Sequence, residues 1–578
     1  MRRRLAIAAA MFAASLLVAG LARSQSRELW PGVTFRQTIQ PTPHGPVVID
    51  VITGPRPGGT TTLEPLLSND SLTGRETLTS LERRLSGDGT YAGVNGDFFN
   101  LRTGLPSGGL VQDGQLMSLP NNGRSTAGVT DTGTLEVRRV IATGAWTGTD
   151  VAHPFGLNRA PENGETSLFT SAWGAATPAV GGATAVVLFP FLGGTPGVDT
   201  LASVQAVVPG ASSVAIPLGG AVLVARGNAA AQLRAEAPVG TTVKTRLDFQ
   251  PSWPGLVSGI GGGPQIVRAG APVFRAGEQF TTAQLGVRAP RSAVGQLRDG
   301  RIILVAVDGR QAGWSVGMTN FELAQALVRL GAVTAMALDG GGSTSMAAHG
   351  VLLNRPSGGV ERPISTALVF AYAGVYVREA LSAVSPNGDG SDDAQSLSYK
   401  LVRPSTVTGT LASPGGTTTQ VGEAAAEQPG TYAVPFPPTG DTQPAEGTWK
   451  LTVGATDEQG QQSTMTASFT VDNTLGFLQT SPARLFLPPG GSELTASWKQ
   501  TRQARVVVTV ETAAGTVVRT LATRSYDAGD QSVAWNGLDR TGQRVRGGVY
   551  QVRVVAKSTI GTTQLVRRFS VRQIAGSS

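Results

Sequence analysis

Apolar runs in this chain of 578 residues are cut short almost everywhere, because 76 glycines and 35 prolines fall between them. Proline has no N–H to give to a ladder and glycine loses the most backbone entropy in a regular element, so this punctuation favours short strands joined by turns. Two segments escape it as helices. Thr77 to Leu85 places Leu78, Leu81 and Leu85 at helical spacing and stops at Gly87. Thr319 to Leu330 opens on a capping box made by Thr319 and Glu322, carries Leu323, Ala324, Leu327, Val328 and Leu330 on one face, and stops at Gly331.

Chemistry is bounded by what is missing. There is no cysteine, which removes disulfides, thiol nucleophiles and thiolate metal sites. The histidines are His44, His153 and His349, too few to favour a multi-histidine zinc centre or a Ser-His-Asp triad. At this length a single core is outgrown, and about three domains are expected.

The first residues read as an address. Arg2, Arg3 and Arg4 precede an apolar run from Leu5 to Leu21, with small residues near Ala22 and Ser24, the three-part pattern of a secretory signal over 1–24. An uncleaved anchor is the alternative, although the run is short for a bilayer span. Four of the charges behind the net +8 lie in this segment, leaving +4 from Gln25 onward. Lysines and arginines are then scattered and aromatics sparse, so no nucleic-acid partner is expected. A secreted, periplasmic or cell-envelope location is.

From Arg301 to Val307 a strand is expected, ending in Asp308-Gly309-Arg310; the Thr319 helix follows, then a strand from Val333 to Leu338 ending in Asp339. If those two strands are neighbours they run parallel and place Asp308 and Asp339 at one sheet edge, where open α/β sheets bind ligands. From about Tyr376 the helices disappear and the chain repeats: Gly447-Thr-Trp-Lys-Leu-Thr-Val matches Gly548-Val-Tyr-Gln-Val-Arg-Val, and Phe469-Thr-Val matches Phe569-Ser-Val. Two modules of immunoglobulin-like size are implied. The expected architecture is an α+β or α/β domain over 25–375 with a mixed β-sheet and few helices, then two all-β immunoglobulin-like sandwiches over 376–478 and 479–578.

Five segments taken in order, Asn95-Gly96-Asp97-Phe98-Phe99, Gly261-Gly-Gly-Pro264, Pro290-Arg-Ser-Ala-Val-Gly295, Asp308-Gly-Arg310 and Asp339-Gly-Gly-Gly-Ser-Thr-Ser345, resemble the phosphodiester glycosidase family between about residues 40 and 373. The Asn536-Gly537 and Asp539-Arg-Thr-Gly542 turns of the last module resemble the immunoglobulin-like domain of the flagellar hook-capping protein. The first resemblance implies a hydrolase acting on a sugar-1-phosphodiester, with a hexosamine such as N-acetylglucosamine; for a chain exported by its leader, envelope glycans or glycolipids are the expected targets. The second implies a spacer, or attachment to the envelope. A non-catalytic glycan-binding surface protein and a metal-dependent phosphodiesterase are the alternatives.

A phosphate monoester leaves more readily than a sugar alkoxide, so one carboxylate and a good anion site meet most of the chemical need. Asp339 is the first candidate for that carboxylate and Asp308 its candidate partner. Gly340, Gly341, Gly342, Ser343 and Thr344 are candidates to line the anion or sugar pocket through backbone N–H and hydroxyl groups. A turn held by the Asp side chain is the plainer reading of the same loop. Arg291 is the candidate phosphate clamp, Asn95 a candidate for sugar hydroxyls and Asp97 a further substrate contact, its place in the motif departing from the family's usual small residue. Phe98 and Phe99 read as core. No cofactor is expected for catalysis. Asn387, Asp389 and Asp393, in Ser385-Pro-Asn-Gly-Asp-Gly-Ser-Asp-Asp393, are candidate ligands for a structural calcium, with a solvated turn as the alternative.

Overall fold

The computed structural model describes residues 24–121, 123–273, 277–441, 443–487 and 493–573. The expected leader, apart from Ser24, lies outside them. None of the described helices is long and apolar enough to cross a membrane. The chain divides into two compact units, Met1–Ala373 and Gly374–Ser578.

The first unit is built almost wholly of antiparallel sheet. Its largest sheet has eight strands in the order Ser24–Trp30, Val33–Thr42, Gly45–Gly54, Ile302–Val307, Arg291–Leu297, Ala332–Ala337, Gln265–Arg268, Ala271–Pro272, and every pairing in it is antiparallel. This corrects the expected parallel pair. Ile302–Val307 and Ala332–Ala337 run in the same direction, but Arg291–Leu297 lies between them and opposes both. Val307 pairs with Arg291 and Ala337 with Ala293, so Asp308 and Asp339 do leave the sheet at the same end.

The helix that joins them, Asn320–Arg329, carries the expected capping box: the Thr319 hydroxyl accepts from the Glu322 amide and the Glu322 carboxylate accepts from the Thr319 amide. Leu323, Ala324 and Leu327 are buried completely against Val305, Ala335 and their neighbours. Each such leucine stabilises the sheet by roughly 1.5–3 kcal/mol through apolar burial. The other expected helix spans Leu78–Arg84, capped by Thr77. Two helices were not expected: Asn228–Glu236, whose N-cap is Gly227 with no side-chain cap bond, and the one-turn Thr282–Gly286, which does carry a capping box made by Thr281 and Gln284.

A second sheet, in the order Val351–Leu352, Met346–Ala348, Thr90–Asn95, Thr366–Tyr372, Thr61–Leu67, carries Asn95 at the end of a strand buried along its whole length. A third, Gln115–Ser118, Leu110–Gln112, Leu256–Gly261, Thr126–Thr130, Leu135–Arg138, is interrupted between its last strand and Leu256–Gly261 by a seven-stranded closed barrel running from Ile141 to Gln250. Trp146, Phe155, Leu223, Val243 and Leu247 fill the barrel. Its Ala152–Leu157 and Thr166–Thr170 strands form a parallel pair.

The second unit holds two modules with one strand plan, a three-stranded sheet and a five-stranded sheet each. The repeated segments are equivalent strands, Gly447–Asp457 with Gln462–Val471 and Gly548–Lys557 with Thr562–Gln573. Trp449 and Tyr550, at matching positions, each donate to the carbonyl four residues before, Ala445 and Arg546. Phe469 and Phe569 pack beside them, against Phe436 and Trp535 respectively.

A candidate active site at the end of the large sheet

The site grows from two strand ends tied together by backbone. The Asp339 amide donates to the Gly96 carbonyl at 3.0 Å, and Asn95 Nδ2 donates to the Asp339 carbonyl at 2.6 Å. Three of the four hydrogen-bonding positions of Asn95 are taken inside the protein, since its Oδ1 accepts from the Ser292 hydroxyl at 2.6 Å and from the Ser345 amide at 3.2 Å, and the residue is 1% exposed. It joins the Asp339 loop to Ser292 and Ser345, which makes it a frame residue.

This stitching brings Asp97, not Asp308, to Asp339. Asp97 is buried. Its Oδ1 accepts from the Phe98 amide at 2.7 Å, while its Oδ2 is sealed from solvent with no hydrogen-bond partner among the described residues. The seal is backbone: a Cβ on Gly261 would lie 2.6 Å from that oxygen and one on Gly108 2.8 Å from it. Burial pushes the Asp97 carboxyl up to about 7, against the pull of the Phe98 and Gly108 amides, and the charge of Asp339 raises it further. Asp339 is half-buried. Burial lifts it to about 6, opposed by the Ser343 hydroxyl, by Arg362, by the Gly340 amide and by Arg124.

Asp308 is committed elsewhere. Its Oδ2 accepts from Trp314 Nε1 at 2.7 Å, its Oδ1 from Asn354 Nδ2 at 3.0 Å, and the Arg355 amide reaches both oxygens. Burial raises its pKa, and those three donors oppose the rise. The expected partnership with Asp339 is therefore replaced by a structural knot that fixes the Gln311–Ser315 turn and the Asn354 loop. Shared direction of two strands does not make two side chains face each other.

Arg291 is likewise spent on backbone. Its Nε donates to Met318 O, Nη1 to Gln284 O and Nη2 to Val287 O, at 2.9, 2.9 and 2.7 Å. Burial and the nearby Arg310 lower its pKa to about 10. The positive groups around the glycine turn are three others. Arg362 lies so close that a Cβ on Gly342 would sit 2.2 Å from its Nη2, and its Nη1 is 3.5 Å from the Ser343 hydroxyl. Arg310 guards Gly341, and Arg124 acts on both carboxylates. The Arg124 guanidinium rests on the rings of Phe98 and Phe280, 5.2 and 4.6 Å from their centroids, and its buried Nε has no partner among the described residues.

The turn itself is a short 3-10 segment, Gly341–Ser343. The Gly341 amide is taken by the Pro290 carbonyl at 2.9 Å, and the buried Thr344 hydroxyl has no partner among the described residues. Of the residues that sequence reasoning singled out, Asn95, Asp97, Asp339 and Gly340 to Thr344 come together; Asp308 and Arg291 buttress the same sheet end from behind. Arg310 was noted only as part of the Asp308-Gly-Arg310 segment, and Arg124 and Arg362 were not singled out. The last two sit in loops of ordinary composition, and only long-range pairing collects them.

Asn387, Asp389 and Asp393 form a closed loop in the second unit. Asp393 accepts from the amides of Asn387, Gly388 and Gly390; Asp389 accepts from those of Ser391 and Phe477. Asn387 Nδ2 donates to Leu475 O. These oxygens tie the loop to itself and to the start of the last module. Among the described residues there is no group of three or more His, Asp or Glu side chains arranged to hold a metal ion.

Comparison with known proteins fits this layout. The described fold is similar to that of a hypothetical protein from Synechocystis, with 28% identity and a TM-score of 0.51 over 61% of this chain and 64% of that one. The zebrafish N-acetylglucosamine-1-phosphodiester α-N-acetylglucosaminidase catalytic domain, auto-inhibited by its pro-peptide, aligns at 15% identity and a TM-score of 0.32, covering 61% of this chain and 88% of that one. The SPbeta prophage-derived uncharacterized protein YomE of Bacillus subtilis is 37% identical over 98 residues, 17% of this chain and 15% of that protein. The chain thus spans less than two thirds of YomE and of the Synechocystis protein. Asp339, Arg310 and Arg362 fall inside the stretch that matches a family model, while Asp97 and Arg124 precede it. The chain carries a phosphodiester glycosidase domain, matched over residues 198–371, and a FlgD Ig-like domain, matched over residues 489–559.

Proposed function

We propose that the first unit hydrolyses a sugar-1-phosphodiester, of the N-acetylglucosamine type, at the bond between C1 and the phosphate oxygen. The observation that carries this reading is geometric: Asp339, half-buried at the end of the large sheet, sits beside the sealed Asp97 with Ser343, Arg362 and Arg124 around it. Acids shifted by burial and flanked by cations in this way are candidates for catalytic groups. Asp97, sealed more completely, holds its proton more tightly than Asp339, so the two carboxylates coexist without full repulsion. Asp339, the more accessible, acts on C1 or on the attacking water. As the C1–O bond breaks its electron pair passes to the phosphate, whose oxygens Arg124 and Arg362 hold. The oxygen of water ends on C1.

Export rests on the arginine-led apolar leader of the sequence. The substrate is accordingly an envelope glycan or glycolipid, and the two β-modules space the enzyme from the envelope or attach it there.

The test is hydrolysis of a synthetic N-acetylglucosamine-1-phosphodiester in 18O-labelled water, with and without chelator. Label at the sugar C1, insensitive to chelator, is the expected result. Label in phosphate, lost on chelation, would mean a metal-dependent phosphodiesterase; binding without turnover would mean a glycan-binding protein.

A further inference from the structure

A cavity of about 630 Å³ opens beside the candidate active site, between the Thr282–Gly286 helix and the start of Asn320–Arg329. Its size is that of a small-molecule site. Its walls are mostly apolar: Pro264, Ile266, Val273, Leu285 and the rings of Phe280 and Phe321, with Thr282 and Thr319 at the two helix starts. Glu278 also borders it, but that carboxylate is occupied by the Ser125 amide and hydroxyl and by the Gln265 amide, each at 2.8 Å.

Its position makes this a ligand site and not a packing fault. Phe280 is at once a wall of the cavity and a seat for Arg124, the cation that acts on both Asp97 and Asp339. Pro264, another wall, follows Gly263, whose amide donates to Ala337, two residues before Asp339.

From this geometry, and resting on the glycosidase reading above, we infer that the cavity takes the aglycone of the phosphodiester, and that this aglycone is an alkyl alcohol. A phosphate held at Arg124 has the sugar C1 ester on the Asp339 side, which leaves its second ester to turn past Phe280 into the apolar space. A polar aglycone such as a second sugar would meet mostly apolar walls there, with Glu278 and the Thr319 hydroxyl already engaged within the protein.

The test uses the full chain and two probe pairs. Calorimetry compares octyl phosphate with methyl phosphate, and steady-state kinetics compares octyl with methyl N-acetylglucosamine-1-phosphodiester. Octyl phosphate is expected to bind about a hundredfold more tightly than methyl phosphate, well within what seven buried methylenes supply. Leu285→Asp, on the cavity wall, is expected to erase most of that preference, read as the octyl-to-methyl ratio of affinities and of kcat/KM within the variant. Equal affinity for the two phosphates, or an octyl preference that survives Leu285→Asp, overturns the inference. Octyl selectivity in binding with no turnover of either diester would overturn the glycosidase reading and leave the alkyl site standing as a site for an alkyl phosphate.

Discussion

Asp97→Asn isolates the cost of holding a carboxylate without solvent. The native group is raised from 3.8 to about 7, chiefly by burial, and at about 1.4 kcal/mol per pH unit this amounts to roughly 4 kcal/mol. The sign follows from proton binding. Between those two values the folded state holds a proton that the unfolded state has released, so stability falls as pH rises from about 4 to about 7 and stays low above it. Asparagine carries no charge, so the variant escapes this fall. It brings a penalty of its own, because an amide Nδ2 in place of the sealed Oδ2 finds no acceptor, at a cost of about 1–3 kcal/mol. That penalty does not depend on pH. The difference between the variant's effect at pH 8 and at pH 4 should therefore be about 4 kcal/mol in favour of asparagine, whatever the absolute values. Urea unfolding of both full-length proteins at pH 4, 6 and 8, followed through the transition of the first unit, measures it. A difference within about 1 kcal/mol between the two extremes of pH would refute the claim that Asp97 is buried in a proton-holding state.

The kcat/KM profile should be bell-shaped and narrow, rising through about pH 6 as Asp339 ionises and falling through about pH 7 as Asp97 loses its proton; a flat profile from pH 5 to 8 would exclude the pair from the reaction. Gly342→Ala should lower kcat/KM by roughly 10-fold to 100-fold, because its Cβ must displace the Arg362 guanidinium, while the thermal midpoint moves little. Arg291→Ala should act mainly on stability, losing about 2–4 kcal/mol as three carbonyls lose their donor, and a pure KM effect in a fully stable variant would restore it as a phosphate ligand. Asp308→Asn turns an NH2 group toward a donor, Trp314 Nε1 or the Asn354 and Arg355 pair, and should destabilise by about 2–4 kcal/mol; full stability with lost activity would contradict its structural role.

Local signals were legible where the physics is local. Thr319 and Glu322 cap a helix because three residues separate them, and the Trp449 and Tyr550 repeats occupy equivalent strands because alternation along a strand is a property of the segment. The same holds for Asp308 and Asp339 leaving one end of the large sheet, which needs only the direction of two strands. Which residues then meet is not local. The strand Arg291–Leu297 enters between those two, antiparallel to both, so the expected parallel neighbours never touch, and pairing between segments far apart in the chain brings Asp97 beside Asp339 and the loops of Arg124 and Arg362 around them. A buried carboxylate and a surface carboxylate have the same letter. Desolvation by Gly108 and Gly261, which the linear chain holds far from Asp339, decides which of them keeps its proton and which is merely tied into the frame.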